Sequence, residues 1–490
     1  MASSVREMSV SRGSRRATVL ARVDAACRER PFGFSRFALC LALLSAGIAL
    51  GPALPALADL AATGVAPRAA SDRRFSPSPQ SSRPSKAAWT RGYPPRITRE
   101  DAAVCGWMHR WPDAASAAVA AKVTEIGEAI DAEFGTQLRE IEARLGAALG
   151  EADGARPSAS ADARAAAFRD REVLADRMLA REAQLLSEAL VKQGLGEDDV
   201  FLVSSTLAEH RRSILGQQCA PLLAGAGDCD VRPILWRFAE ECADVDERAR
   251  LRELASETLP NLGSLFNERR RIARRVVPES TQLFERMRTA ATPQERQALR
   301  AERESLRRPQ AGVERRIVES SLLAMQRFRE GASGERGELA RRSVLEAMFG
   351  PLASDPWDPA TLVALAAELA AADETLSQAS AQAAELAESQ KAEREERQRQ
   401  ALAAVIRFWF EFGTSMSAAP DETERLMKAL DRWHASSAAL SEPIAALIER
   451  DAPAALAEAA RAKISRWRER AETTAEAQRQ SFSFAQPRFR

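Results

Sequence analysis

Apolar residues recur along most of this chain at steps of three and four, the spacing that gathers them on one face of an α-helix. The clearest run starts near Asp113, which follows Pro112 and is suited to cap a helix. Its apolar positions, up to about residue 149, are Val119, Val123, Ile126, Ile130, Phe134, Leu138, Ile141 and Leu145. No segment alternates apolar and polar residues over a useful strand length, so the pattern predicts an all-α fold.

Two long helices joined by a short connection are predicted for the first part of the chain. A turn at 151–160 separates the first helix from a second one, which runs through Leu174 to Gly194. Long helices joined in this way read as an antiparallel hairpin.

Further helices are expected beyond this hairpin. One is predicted from about 198 to 218, and the next starts near Pro233, with breaks near Pro260 and Pro278 because proline interrupts the helical hydrogen-bond ladder. Thr292 precedes a proline that can occupy the first helical position, so another helix is predicted to begin there.

Proline also indicates how the chain divides into domains. Three prolines fall within 351–360, which is therefore the best internal boundary. We predict long antiparallel helices in two bundles, one at 101–350 and a partly coiled-coil-like one at 361–473, joined by the Pro-rich linker. Residues 474–490 are expected to form a flexible tail.

The second bundle opens with a heptad-like rhythm. Alanine occupies several of the core positions, which lets a partner helix approach closely. The positions are Leu362, Leu365, Leu369, Ala372, Leu376, Ala379, Ala383 and Leu386. The partner helix belongs either to the same chain or to a second copy.

The N-terminus has the three parts of a secretory signal. An arginine-rich leader precedes an uncharged apolar run at 37–58, which ends in the small-x-small pattern that favours cleavage after Ala58. Residues 1–58 are therefore predicted to be a signal peptide. Residues 59–100 contain six prolines and little apolar content, so they are predicted to be a disordered linker.

This signal predicts an exported protein, either periplasmic or secreted. One alternative is an uncleaved membrane anchor that leaves 59–490 outside, because a helix of 22 residues spans roughly 33 Å. A second alternative is import into a plastid lumen, since the chain opens with a Ser/Arg-rich segment before the apolar one.

The charge balance argues against nucleic acid as a partner. Residues 1–58 hold eight Arg and three acidic residues, so their removal takes the net charge from +1 to −4. A chain so close to neutral has no global field to attract nucleic acid. Interaction through helices, either with a protein partner or with a second copy, is the predicted mode, and the cell-envelope surface is a further candidate.

Four cysteines follow the apolar run, namely Cys105, Cys219, Cys229 and Cys242. In an oxidising compartment this even number predicts at least one disulfide, and Cys219 and Cys229 flank a Gly/Asp turn that would let them pair. Cys242 lies on an apolar stripe and is alternatively a buried thiol. No Cys-x-x-Cys pair is present, so no metal site is predicted.

Two clusters are candidate binding surfaces. The first is a stripe of arginines that would bind phosphate groups of an anionic lipid or polyanion, with a solvated helix face as the alternative. It comprises Arg269, Arg270, Arg271, Arg274 and Arg275. The second is an aromatic patch that would dock a partner, with core packing as the alternative. It comprises Phe408, Trp409, Phe410 and Phe412.

No catalytic signature accompanies these clusters. The three histidines, His109, His210 and His434, have no nucleophile motif beside them, and no phosphate-binding or dinucleotide-binding glycine loop is present. No cofactor is therefore predicted. We predict a non-catalytic interaction or scaffold protein of the cell envelope. The alternatives are a chaperone-like client binder, and a helical enzyme with a site near His109 or His210.

Overall fold

Helices account for nearly all of the chain that the structure describes. A computed structural model describes residues 96–150, 157–219, 229–414 and 419–483, and within these ranges there are thirteen α-helices and no strand. The predicted all-α class is therefore confirmed. The helices are α1 (Arg99–His109), α2 (Asp113–Gly150), α3 (Pro157–Lys192), α4 (Glu197–Gln218), α5 (Arg232–Glu240), α6 (Val245–Thr289), α7 (Pro293–Gly331), α8 (Gly334–Phe349), α9 (Ala360–Ala372), α10 (Ser377–Ser389), α11 (Lys391–Thr414), α12 (Ala419–Asp451) and α13 (Ala454–Ser483).

Short polar side chains fix where several of these helices begin. Thr98 accepts a hydrogen bond from the backbone N–H of Asp101, whose carboxylate accepts one from the N–H of Thr98, and this capping box starts α1. Asp244 caps α6 in a similar way. The predicted start at Thr292 is confirmed, because its hydroxyl accepts from the N–H of Glu295 and proline occupies the first turn of α7.

Two prolines do not end the helix that contains them. The sequence predicted breaks near Pro260 and Pro278, but α6 continues through both. An internal proline costs about 3 kcal/mol, since it removes one hydrogen bond and crowds the preceding turn. The buried face of α6, which includes Leu259, Leu262 and Phe266, offsets this cost by packing on both sides of the first proline.

The long helices pack side by side in an extended order. Neighbouring pairs are α2–α3, α3–α6, α6–α7, α7–α11, α11–α12 and α12–α13, and α4 lies against both α3 and α6. Ion pairs join Arg181 to Glu133 and Arg144 to Asp170, so α2 and α3 run antiparallel. The inner helices of this order, α3, α6, α7, α11 and α12, thereby pack against a long helix on either side.

The hydrophobic core crosses the boundary that the sequence predicted. All described residues belong to one compact unit. Its largest apolar cluster combines Phe266 of α6 and Ile317 of α7 with Leu430 of α12. The segment 351–360 is itself packed, because Leu352 is buried in this cluster and Trp357 is buried in the next one.

Side chains from distant helices hold this proline-rich segment in place. Gln398 of α11 donates a hydrogen bond from Nε2 to the carbonyl of Ala353 at 2.6 Å. Arg394 donates from Nη1 to the carbonyl of Trp357 at 3.2 Å, and Ser441 of α12 donates to the same carbonyl. The segment therefore joins the two predicted bundles rather than separating them, since its backbone acceptors are satisfied from inside.

The heptad-like segment is not one continuous helix. It breaks at Asp373, which has extended backbone angles and whose carboxylate accepts from the N–H of Thr375. α9 and α10 consequently fold back on each other, and Leu362, Leu376 and Ala383 all lie in one internal cluster with α12 and α13. Most of the heptad-like positions are thus packed against helices of the same chain.

The C-terminal helix is longer than predicted. α13 continues to Ser483, whereas a flexible tail was expected from residue 474, and Gln478 and Phe482 are buried. The predicted signal peptide, residues 59–95 of the predicted linker and residues 484–490 lie outside the described residues. Within the described part, no helix combines the length and the apolar character needed to cross a bilayer.

Candidate functional site

The predicted arginine stripe is divided between the interior and the surface. Arg269 is fully buried and donates from Nε to the carbonyl of Gly216 at 2.8 Å, and it also contacts the carbonyl of Gln217. These carbonyls end α4, where intrahelical partners run out. Arg269 therefore acts as a helix cap, and the prediction that it belongs to an exposed phosphate-binding stripe is wrong.

A buried ion-pair network uses two more of these arginines. The guanidinium Nε of Arg270 lies 2.9 Å from Glu172 Oε2, and the Nε of Arg274 lies 3.1 Å from the same oxygen. Arg270 and Glu172 are both buried, so Arg270 cannot serve an external ligand. Only Arg271 and Arg275 of the predicted stripe are exposed.

The predicted aromatic patch also packs inward. Phe408 is buried and meets Phe482 edge-to-face at 5.7 Å between ring centroids, and Trp409 stacks on Phe349 at 5.7 Å. The guanidinium of Arg315 lies over the ring of Phe410. Such contacts are those of a helix interface, which was the alternative interpretation. The side chain of the remaining member, Phe412, lies outside the described residues.

The four described cysteines are buried thiols, and no disulfide joins any two of them. Cys105, Cys219 and Cys229 belong to three different apolar clusters, which explains why they do not pair. Burial raises the pKa of Cys219 to about 12 and also raises that of Cys105. The predicted disulfide is therefore corrected to a set of buried thiols, and Cys242 follows the alternative interpretation.

One of the two histidines considered for a catalytic site, His210, lies in a packed polar cluster. Nδ1 of His210 is 3.4 Å from Nη1 of Arg232, which also donates to Ser213 at 2.7 Å. Burial, followed by the charges of Arg232 and Arg211, holds the pKa of His210 well below its usual range. Arg232 is in turn paired with Asp230 through two hydrogen bonds of 2.8 and 2.7 Å.

The other two histidines have similar surroundings. Burial lowers the pKa of His109, against the opposing charge of Glu209, and it lowers that of His434 as well. His434 is bonded from Nε2 to Gln478 Oε1 at 2.8 Å. In the described part of the chain no group of three or more His, Cys, Asp or Glu residues is arranged to hold a metal ion.

An open groove lies where α1 turns into α2. It has a volume of about 410 Å³ and is lined in part by Arg110, Trp111, Arg252 and Glu253. Arg110 has a left-handed backbone (φ 53°), and Arg252 donates to the carbonyl of Trp111 at 3.2 Å. Arg110 and Glu253 form an ion pair at 3.6 Å, so the groove carries balanced charge and selects neither sign of ligand.

A small apolar surface stands out at the corner between α3 and α4. Seven large apolar side chains are exposed among the described residues, and three of them, Val191, Phe201 and Leu202, fall within twelve positions of each other. The hydroxyl of Ser187 on α3 donates to that of Ser204 on α4 at 2.8 Å, so the two helices are in contact close to the turn that joins them. The three exposed residues lie within about one helical turn of that connection. We call these three residues the α3–α4 corner.

The sequence alone indicates that part of this surface is exposed. Phe201 and Leu202 lie off the apolar stripe of Val203, Leu207 and His210, and they therefore point away from the face that packs. Phe201 is 76% exposed, which is the highest value among the large apolar side chains described. Three acidic residues in the first turn of α4, Glu197, Asp198 and Asp199, lie immediately before it.

Comparison with known proteins gives no match: no family model, no curated protein and no solved structure is similar to this chain.

Proposed function

We propose that this chain is a non-catalytic interaction protein of the cell envelope, which binds another protein through a helix face. The observation that carries the proposal is the exposure of Phe201 at the α3–α4 corner. Exposing a phenylalanine side chain forgoes about 2 kcal/mol of burial, and no packing within the described chain accounts for its position. Exposed apolar residues grouped together are characteristic of interaction sites.

The charge around the corner indicates the chemistry of the partner. The acidic first turn of α4 lies directly beside Phe201 and Leu202. A partner that combines apolar anchors with flanking lysine or arginine would satisfy both features. We therefore propose a basic amphipathic helix of a second protein as the occupant, bound through apolar anchors at helical spacing.

A binding titration tests this proposal. A labelled synthetic helix of leucine and lysine is titrated with the protein, and fluorescence anisotropy gives its dissociation constant. Phe201→Ser is expected to weaken binding at least tenfold, because a buried phenylalanine contributes about 2 kcal/mol. The matched control is Leu323→Ser on α7, which removes a side chain of 51% exposure away from the corner. Equal affinity of the Phe201→Ser variant and the unmodified protein would refute the proposal.

Export is the second part of the proposal, and it is supported by the arginine-rich leader and the apolar run at 37–58. N-terminal sequencing of the protein recovered from cells tests it. A mature chain that begins at Asp59 would support export with cleavage. Recovery of an intact Met1 in the soluble cytosolic fraction would contradict it.

A further inference from the structure

Arg307 is a buried cation without a bonded partner. Its side chain, on α7, is 8% exposed, and no hydrogen bond or ion pair joins it to another described residue. Burying an unpaired charge is costly, so charged residues this deep in a protein are normally paired. The carboxylates of Glu304 and Glu314 act on it only at longer range.

A second arginine lies on the same face of the helix. Arg303 precedes Arg307 by one turn, which places the two side chains next to each other. It is held against α6, since its Nε donates to the hydroxyl of Ser280 at 3.1 Å and its guanidinium lies 5.4 Å from the ring centre of Phe284. The two terminal nitrogens of Arg303 have no partner among the described residues.

The two guanidinium groups repel each other. Burial first, and then the charge of Arg303, lowers the pKa of Arg307 to about 10. The surrounding part of α7 leaves a small excess of positive charge. Between residues 295 and 314 there are five arginines and four glutamates.

We propose that Arg303 and Arg307 form a binding site for a phosphate group. A phosphate group carries one negative charge as a diester and close to two as a free phosphate or monoester, and in each form several acceptor oxygens let one group accept from both guanidinium forks. Binding replaces the repulsion between the two arginines with two charge-assisted contacts. The site is separate from the α3–α4 corner, and it does not rest on the proposed function.

Thermal unfolding of the full chain tests the site with inorganic phosphate as the probe. We expect the melting temperature to rise saturably with phosphate and to rise less with chloride at the same ionic strength. Arg307→Met should lose the phosphate-dependent rise, because one of the two guanidinium groups that hold the phosphate has been removed. Arg303→Met should also lose the rise, and it provides a second readout if the first variant fails to fold.

Arg308→Met is the matched control, since Arg308 is exposed on the same helix and its loss changes the net charge equally. It should keep the phosphate-dependent rise. The proposal is overturned if phosphate acts no more strongly than chloride on the unmodified protein, or if Arg303→Met and Arg307→Met respond to phosphate as Arg308→Met does.

Two sources of the phosphate group are distinguished by vesicle sedimentation. Vesicles of phosphatidylglycerol are compared with vesicles of phosphatidylcholine at constant ionic strength. Binding to phosphatidylglycerol that falls at least tenfold in Arg303→Met and Arg307→Met supports the site with a lipid headgroup as its ligand. A phosphate-dependent rise without vesicle binding supports it with a soluble phosphate compound. Vesicle binding that persists in both variants, with no phosphate-dependent rise, contradicts it.

Discussion

Gln478 donates a hydrogen bond from Nε2 to the backbone carbonyl of Pro351 at 2.7 Å, although 127 positions separate them in the chain. The same nitrogen lies 3.1 Å from the carbonyl of Ser354, and Oε1 bonds to His434. One side-chain amide from α13 thus supplies the hydrogen-bond donor for two backbone carbonyls of the segment 351–360. Because this amide is 1% exposed, water cannot replace it.

Gln478→Leu is expected to destabilise the protein by about 2 kcal/mol, because the carbonyls of Pro351 and Ser354 and the buried imidazole of His434 lose their partner at once. Urea unfolding followed by circular dichroism measures the change. The control is Gln480→Ala two positions later, where an exposed bond to Glu476 is lost and the effect should stay below about 0.5 kcal/mol. Similar effects of the two variants would contradict a structural role for Gln478.

Asp230→Asn should be strongly destabilising. It leaves the fully buried guanidinium of Arg232 without its counter-charge, which costs about 3–5 kcal/mol. Glu424→Gln removes an exposed ion pair with Lys428 and should cost less than about 1 kcal/mol. Denaturant titrations of both variants at pH 7 make the comparison, and equal losses would refute the importance of burial here.

Stability is expected to fall as the pH drops below about 6.5. All three histidines have a lowered pKa in the folded protein, mainly because burial disfavours the charged imidazole. The unfolded chain therefore binds protons near pH 6.5 that the folded chain does not, and each histidine contributes up to about 1.4 kcal/mol per pH unit below that value. Above it, the three histidines are neutral in both states and contribute no slope.

The measurement is the free energy of unfolding at several values between pH 7.5 and pH 5. His210→Gln should show a shallower decrease than the unmodified protein over this range, because the most strongly shifted histidine is gone. Comparing the two proteins cancels the opposing contribution of Asp101, whose pKa is raised by burial. Parallel curves would show that His210 does not titrate differently on folding.

The core thiols should be unreactive until the protein unfolds. All four described cysteines are buried, so with Cys27 and Cys40 replaced by serine a thiol reagent is expected to find no group within minutes in buffer. In denaturant it should find all four. Reducing agent should leave the melting temperature unchanged. Fewer than four thiols in denaturant would restore the disulfide prediction.

Light scattering is expected to give the mass of a monomer. Five of the eight heptad-like residues, among them Leu362 and Leu369, are buried in the cluster with α12 and α13, and only Ala372 is exposed, so little of the seam is left for a second copy. A stable dimer would require a different surface, and Phe201→Ser would then show whether the α3–α4 corner supplies it.

The helical segments and their apolar faces could be predicted from the sequence, because they depend on the spacing of residues within one or two turns. The stripe that begins at Val119 is buried as expected, and α7 starts where Thr292 and the proline after it indicated. Most of the predictions that failed concern partners far away in the chain. Pro260 does not end α6, since packing outweighs its local cost. The break at Asp373 is local, because its carboxylate accepts from the N–H of Thr375, and the heptad-like rhythm did not reveal it.

The candidate sites also divide into features that follow from local sequence and features that depend on distant residues. That Phe201 and Leu202 lie off the apolar stripe could have been read from α4 alone, but that Val191 of α3 is exposed at the same end of the helix pair depends on how α3 and α4 pack. Arg303 and Arg307 look like ordinary surface residues in the sequence, whereas Arg269 and Arg270 belonged to a predicted binding stripe. Their burial was decided by the helices that happen to cover them.

By itself the sequence determined that this chain is helical, which faces of its helices are apolar and where several of them begin. These properties follow from backbone hydrogen bonds and side-chain spacing, which act over one or two turns. Only the tertiary structure decided which arginines are buried, whether cysteines pair and whether 351–360 divides the core. Each of these depends on groups that are distant in sequence and become neighbours only when the helices pack.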